Sequence, residues 1–123
     1  MLLNDFFTIN GLQVSGTDVT ATIIIDPAHK IFEGHFPGQP VVPGVCQMQM
    51  LKEIMEMVTE KKLDVVKAYD MKFLAVIDPS KNDQVSVSIK YAEDPSGGLQ
   101  VTGSLFKDEL QHFKFKGLLN FQH

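Results

Sequence analysis

The stretch Gly34-His35-Phe36-Pro37-Gly38-Gln39-Pro40-Val41-Val42-Pro43-Gly44-Val45 decides the fold of this chain. It places three prolines and three glycines around a single histidine. Proline fixes the backbone angle φ and removes an amide donor, whereas glycine reaches backbone angles that are closed to other residues. The stretch therefore predicts a rigid, shaped loop that holds His35 and delivers the chain to the start of a helix.

The longest helical pattern in the sequence follows this loop, from about Gly44 to about Glu60. Its apolar side chains cover roughly half of the helix circumference. An arc this wide is typical of a helix held in the concave face of a curved sheet. The polar residues Gln49, Lys52, Glu53, Glu56 and Glu60 are predicted to form the opposite, solvated side.

The segments on both sides of the helix have the patterns of β-strands. Asn10-Gly11 is a hairpin-type turn signal between short apolar pieces. Strand patterns, some rich in β-branched residues and some strictly alternating, cover residues 19–26, 65–77, 85–91, 99–106 and 113–121. One early helix followed by an antiparallel meander predicts an α+β architecture, in a single domain that spans residues 1–123.

Composition excludes several classes of protein. The net charge of −4 argues against a general nucleic-acid binder, and one cysteine, Cys46, excludes an internal disulfide framework. No apolar run approaches the roughly 18 residues of a membrane-spanning helix. The apolar opening residues lack the basic start of a signal peptide, so we expect a cytoplasmic protein. His29, His112 and His123 lack metal-ligand spacing, so neither a metal nor a cofactor is expected.

The run His-Phe-Pro-Gly-x-Pro-x-x-Pro-Gly-Val, followed by a helix, resembles the active-site segment of the 3-hydroxyacyl-acyl-carrier-protein dehydratases of fatty acid synthesis. The match is continuous from Gly34 to Val45 and looser elsewhere, for example around Lys72-Phe73. The resemblance implies a hotdog fold, in which the sheet wraps around the helix. It also implies a dimer that acts on acyl chains carried by acyl carrier protein.

The resemblance assigns His35 as the base that removes the proton beside the thioester carbonyl. Imidazole suits this role because it titrates near neutral pH. Gly44 is the expected oxyanion donor, since the first amides of a helix lack internal partners and lie at the positive end of its dipole. Phe36 and Val45 are expected to contact the substrate.

The residue at the position of the family's general acid differs in this chain. The dehydratases have a Glu or Asp fourteen residues after the histidine, and that position is Gln49 here. An amide can donate a hydrogen bond but cannot deliver a proton. Glu53 lies one helical turn later, on a neighbouring part of the helix surface. One hypothesis makes Glu53 the acid, with Gln49 orienting substrate or water; the alternative makes Glu53 a solvated surface residue.

Three functions follow from these residues. The first is an autonomous 3-hydroxyacyl-thioester dehydratase, built as a homodimer. The second is an incomplete hotdog subunit that supplies His35 to a heterodimer, because the family draws the histidine and the acid of one site from opposite protomers. The third is a hotdog acyl thioesterase or a protein that binds acyl thioesters without turnover, since one fold hosts several reactions.

Overall fold

The computed structural model describes residues 1–34 and 38–122. Within them, one α-helix packs against a six-stranded antiparallel sheet. This arrangement confirms the α+β architecture and the expected hotdog fold. The elements are β1 (Phe7–Ser15), β2 (Asp18–Ile25), a 3₁₀ helix (Lys30–Glu33), α1 (Gly44–Thr59), β3 (Leu63–Phe73), β4 (Gln84–Glu93), β5 (Leu99–Lys107) and β6 (Leu110–Phe121). The strands lie in the sheet in the order β1-β2-β4-β5-β6-β3. The meander predicted after the helix is therefore wrong, because β3 pairs with β6 and β4 pairs with β2.

The start of α1 is fixed by the chain that precedes it. Pro43 has an extended backbone and stands at the N-cap position, so the helix begins at Gly44 as predicted. The amide of Val42 donates to the carbonyl of Ile77 at 3.0 Å, which ties the end of the loop to the segment after β3. At the other end the helix stops at Thr59, because Glu60 adopts left-handed backbone angles.

The core lies between α1 and the concave face of the sheet. Met50, Leu51, Ile54 and Met55 of α1 are almost fully buried. Leu51 reaches the sheet at Gly103, where an added Cβ would lie 3.1 Å from Leu51 Cδ1. The absence of a side chain on β5 therefore lets the helix approach closely. The sheet contributes Val87, Ile89, Val101, Leu105, Phe113, Phe115 and Leu119 to the same core.

The hairpin turn predicted at Asn10-Gly11 is wrong. β1 runs through this position, and its register against β2 shifts between Asn10 and Leu12. Gly11 has a φ of +82° and forms a β-bulge, which uses the same positive φ that makes Asn-Gly a turn signal. The turn that joins β1 to β2 instead contains Gly16, with a φ of +60°.

The predicted polar side of α1 is also partly wrong. Glu53 and Glu56 are 1% and 9% exposed, whereas the apolar Val45 is 76% exposed. The two carboxylates are buried because each accepts hydrogen bonds from backbone amides outside the helix. Helical periodicity identifies the apolar face of a helix. It cannot reveal that backbone amides from distant segments will bind carboxylates on the other face.

β3 is an edge strand with an unusual surface. Among the described residues it pairs only with β6, and every residue after Leu63 is exposed. The strand and the segment that follows it carry a row of large apolar side chains, which are Val65, Val66, Tyr69, Met71, Phe73, Leu74 and Val76. We call this row the β3 edge. A long apolar edge strand has unpaired backbone groups that can pair with another chain.

Candidate active site

The N-terminus of α1 offers two backbone donors. Pro43 provides no side-chain cap, and its carbonyl accepts from the amides of Cys46 and Gln47 at 3.0 and 3.2 Å. The amides of Gly44 and Val45 have no acceptor among the described residues. They lie at the positive end of the helix dipole, where a negatively charged oxygen is stabilised. This is the geometry that the predicted oxyanion role of Gly44 requires.

Packing also explains why residue 44 is a glycine. A Cβ added there would lie 2.8 Å from the ring of Phe73. That ring stacks on Phe113, with 5.0 Å between the ring centroids. Glycine is therefore needed for the aromatic ring to cross the start of the helix. A cavity of about 420 Å³ opens beside it, lined by Val41, Val42, Gly44, Gln47 and residues 73–76.

His35 and Phe36, the predicted base and one predicted substrate contact, lie outside the described residues. The described histidine that precedes them in the sequence is His29, and both of its ring nitrogens have a hydrogen-bond partner. Nδ1 accepts from the amide of Ile31 at 3.1 Å, and Nε2 lies 3.1 Å from a carboxylate oxygen of Asp5. His29 thus caps the 3₁₀ helix, which is a structural role.

The structure brings Gln49 and Glu53 together. Gln49 Nε2 donates to Glu53 Oε2 at 2.8 Å. The same carboxylate accepts from the backbone amide of Leu2, at 3.0 Å to Oε1 and 2.9 Å to Oε2, and from the amide of Leu3 at 2.8 Å. Glu53 is 1% exposed. We call this arrangement of Gln49, Glu53, Leu2 and Leu3 the Glu53 clamp.

The Glu53 clamp controls the ionisation of its carboxyl group. Burial alone raises the pKa of Glu53, but the hydrogen bonds from Leu2, Leu3 and Gln49 outweigh it and lower the pKa below its usual value. A general acid that works near neutral pH needs a raised pKa. The role of Glu53 as the acid stays a prediction, and these contacts weigh against it.

Sequence reasoning missed the contribution of the N-terminal segment to the Glu53 clamp. Its contribution comes from backbone amides, which every residue except proline has, so no side-chain motif could reveal it. Glu56 is held in a similar way, because its Oε2 accepts from the amide of Leu63 at 2.9 Å. In the sequence, the only sign of these buried carboxylates is that a largely apolar helix carries the two glutamates Glu53 and Glu56.

The remaining candidates are structural or absent. Cys46 is buried, and burial raises the pKa of its thiol, which disfavours the nucleophilic thiolate. The described residues contain no cluster of His, Cys, Asp or Glu suited to a metal ion. None of the helices in this part of the chain is long and apolar enough to cross a membrane.

The fold defines a hotdog protein, and the start of α1, where the amides of Gly44 and Val45 lack acceptors among the described residues, is its candidate site. A family model described as ApeI-like, ApeI dehydratase, matches residues 12–102, and the chain belongs to this family. Over 79 residues it is 29% identical to the 3-hydroxyacyl-[acyl-carrier-protein] dehydratase FabZ of Haemophilus influenzae strain 86-028NP. That alignment covers 58% of this chain and 53% of the relative, so the chain spans about half the length of the curated relatives it matches.

Solved structures agree on the fold. The dehydratase heterocomplex ApeI:P from Xenorhabdus doucetiae superposes with a TM-score of 0.67 and 20% identity, covering 91% of this chain and 96% of that one. A putative thioesterase from Ralstonia eutropha JMP134, related to phenylacetic acid degradation, superposes with a TM-score of 0.62 and 11% identity. The superposition covers 94% of this chain and 84% of that one. At these identities the likeness shows the hotdog fold alone.

Gly44→Ala should destabilise the protein, because the new methyl group would collide with the Phe73 ring. Because Phe73 is 55% exposed and its ring can be pushed aside, we expect the free energy of unfolding in urea to fall by about 1 kcal/mol, the lower end of the cost of overpacking. Gly34→Ala is the matched control, since its nearest neighbouring atom would lie 4.0 Å away and its φ is −98°. Equal stability of the two variants would contradict the packing role of Gly44.

Proposed function

We propose that this chain dehydrates 3-hydroxyacyl thioesters of acyl carrier protein, as one subunit of a hotdog dimer. The observation that carries the proposal is the start of α1, where the Gly44 and Val45 amides lack acceptors among the described residues and Gly44 lines a cavity. This helix start follows the histidine-bearing loop in a chain of the ApeI-like dehydratase family. The curated relative with matching sequence is a 3-hydroxyacyl-[acyl-carrier-protein] dehydratase.

The proposed reaction is an elimination. His35 takes the proton from the carbon beside the thioester carbonyl, and the negative charge moves to the thioester oxygen. The Gly44 amide donates a hydrogen bond to that oxygen in the transition state. The bond from C3 to the hydroxyl then breaks, and a proton completes the departing water. Phe36 and the exposed Val45 are proposed to contact the acyl chain.

The source of that last proton separates the autonomous enzyme from the incomplete subunit. Gln49 cannot supply a proton, although it can hold a water that does. Glu53 accepts four hydrogen-bond contacts at 2.8–3.0 Å, which hold its carboxylate in the ionised form. These contacts favour the second candidate, in which another hotdog subunit brings the carboxylic acid and this chain brings His35. Nothing among the described residues favours the thioesterase alternative.

The β3 edge is the proposed docking surface for that subunit. Its backbone groups are open to strand pairing, and Met71 and Phe73 lie opposite the buried Phe115 and Phe113, on the same face of the sheet as α1. A second hotdog subunit that pairs here would cover both the apolar row and the cavity beside Gly44. A homodimer and a heterodimer would use the same edge. We place this enzyme in the cytoplasm, by analogy with fatty acid synthesis.

The first test is mass spectrometry of 3-hydroxyacyl carrier proteins of several chain lengths. We expect slow loss of water with the purified chain alone. The rate should rise by about 10²- to 10⁴-fold when a hotdog subunit with an acid at the position of Gln49 is co-expressed with it, the usual contribution of a general acid. His35→Ala should abolish the reaction, and His29→Asn, which retains a capping acceptor, should not. Release of free thiol without loss of water would contradict the proposal and indicate a thioesterase.

The docking surface is tested by Met71→Lys. A charge buried in an apolar interface is costly, so the dimer dissociation constant should rise by at least about tenfold in analytical ultracentrifugation. Lys72→Gln is the matched control, because Lys72 lies on the opposite face of the same strand, across from Lys114. A Met71→Lys protein that dimerises as tightly as the Lys72→Gln protein would rule out this edge.

A further inference from the structure

We propose that Gln47 is a specificity-determining residue: its side-chain oxygen accepts a hydrogen bond from an amide N–H of the pantetheine arm on which acyl carrier protein holds its acyl chain. This inference rests on the proposed function, because it assigns a second part of the same substrate to the cavity beside Gly44. The contact takes no part in the elimination. It selects the group that delivers the acyl chain.

Gln47 is a buried polar residue with an unpartnered atom. Its side chain is 4% exposed, and its Oε1 has no hydrogen-bond partner among the described residues. Nε2 donates to the carbonyl of Val42 at 3.3 Å, which is long for a hydrogen bond between N–H and oxygen. Because a carbonyl only accepts hydrogen bonds, Val42 fixes which end of the side-chain amide faces it. A buried acceptor without a donor costs free energy, so a ligand that supplies a donor gains affinity.

Gln47 also lines the cavity beside Gly44. The other lining residues of this cavity of about 420 Å³ are Val41, Val42, Gly44 and residues 73–76, so its walls are mainly apolar. The backbone amide of Gly44 and the Oε1 of Gln47 both lack a partner in the described part of the chain. An apolar cavity with a few polar groups of this kind is typical of a ligand site.

These two polar groups lie about one helical turn apart. Gly44 and Gln47 are separated by three positions, which places them on the same face of α1 with about 4.5 Å of rise between them. The backbone amide of Gln47 donates to the carbonyl of Pro43 at 3.2 Å, so the helix is formed from its first turn. The cavity therefore suits a ligand that has an acceptor and a donor at a similar spacing.

A thioester of acyl carrier protein has this pattern of groups. Its carbonyl oxygen is the acceptor that the proposed reaction places at the Gly44 amide. The sulfur and two methylene groups separate that carbonyl from the first amide of the arm, whose N–H is a donor. This spacing is similar to one turn of a helix, and the methylene groups suit the apolar walls. The terminal amide of Gln47 can turn toward the donor, because the torsion that rotates it has a broad energy minimum.

The test exchanges one group of the ligand. S-octanoyl-N-acetylcysteamine retains the first amide of the arm, and S-octanoyl-2-acetoxyethanethiol has an ester oxygen in place of the N–H. Neither ligand can be dehydrated, because the acyl chain lacks a 3-hydroxyl group. In calorimetric binding we expect the purified chain to prefer the amide by about three- to tenfold, the contribution of one neutral hydrogen bond. Equal dissociation constants, or binding of neither ligand, would overturn the inference.

Gln47→Met removes the acceptor and keeps an unbranched side chain of similar length. We expect the ratio of the two dissociation constants to fall to about one in this variant. Thr59→Val is the matched control, because it removes a polar group that is bonded to the carbonyl of Met55 at the other end of α1, and it should retain the preference. An unchanged preference in Gln47→Met, or an equal loss in Thr59→Val, would overturn the inference. The comparison of the two ligands on the unaltered chain does not depend on the folding of either variant.

Two outcomes separate this inference from the proposed function. A chain that dehydrates 3-hydroxyacyl carrier protein but binds the amide and the ester equally would overturn the inference alone. A chain that prefers the amide through Gln47 but dehydrates nothing, alone or with a second hotdog subunit, would overturn the proposed function and support the contact.

Discussion

The close approach of α1 to the concave face of the sheet is the constraint on which the rest of the structure depends. Two glycines make it possible at different points. Gly103 leaves room for Leu51 over β5, and Gly44 leaves room for the Phe73 ring at the start of the helix. With the helix seated in this way, its first amides lie beside a cavity that Phe73 also lines. The same packing that forms the core therefore places the first amides of the helix beside this cavity.

Any polar side chain on the buried part of this helix needs hydrogen-bond partners from elsewhere in the chain. Glu53 and Glu56 are buried, and each is bonded to backbone amides from another part of the chain. Removing the partners of such a carboxylate would leave an uncompensated charge, which is strongly destabilising. This requirement connects the N-terminal segment to the middle of α1. It also explains how a carboxyl group that is almost fully buried can have a lowered pKa.

The sequence predicted the elements that depend on local patterns. The helix starts and ends within one residue of the predicted limits, and the strands after it fall on the predicted strand patterns. The predicted meander order is wrong, because β4 pairs with β2 and β3 pairs with β6. The prediction from sequence failed where a feature depends on contacts between segments that are distant in the chain. Gly11 forms a bulge because β2 pairs along the whole of β1, and Glu53 is buried because Leu2 and Leu3 reach it. The amides of Gly44 and Val45 lack acceptors among the described residues, and this was predictable because Pro43 precedes them and they begin a helix.

The described residues thus combine two helix-start amides beside a cavity with a buried glutamate whose hydrogen bonds lower its pKa. The central claim is that Glu53 stays ionised in the folded protein. Its direct test is a pH titration of the ¹³C-labelled carboxyl of Glu53 by NMR, with the signal assigned from Glu53→Gln. We expect a pKa below the usual value for glutamate of about 4.3, in line with the amide hydrogen bonds. A pKa near neutrality would contradict the account, because Glu53 would then have the property of a general acid.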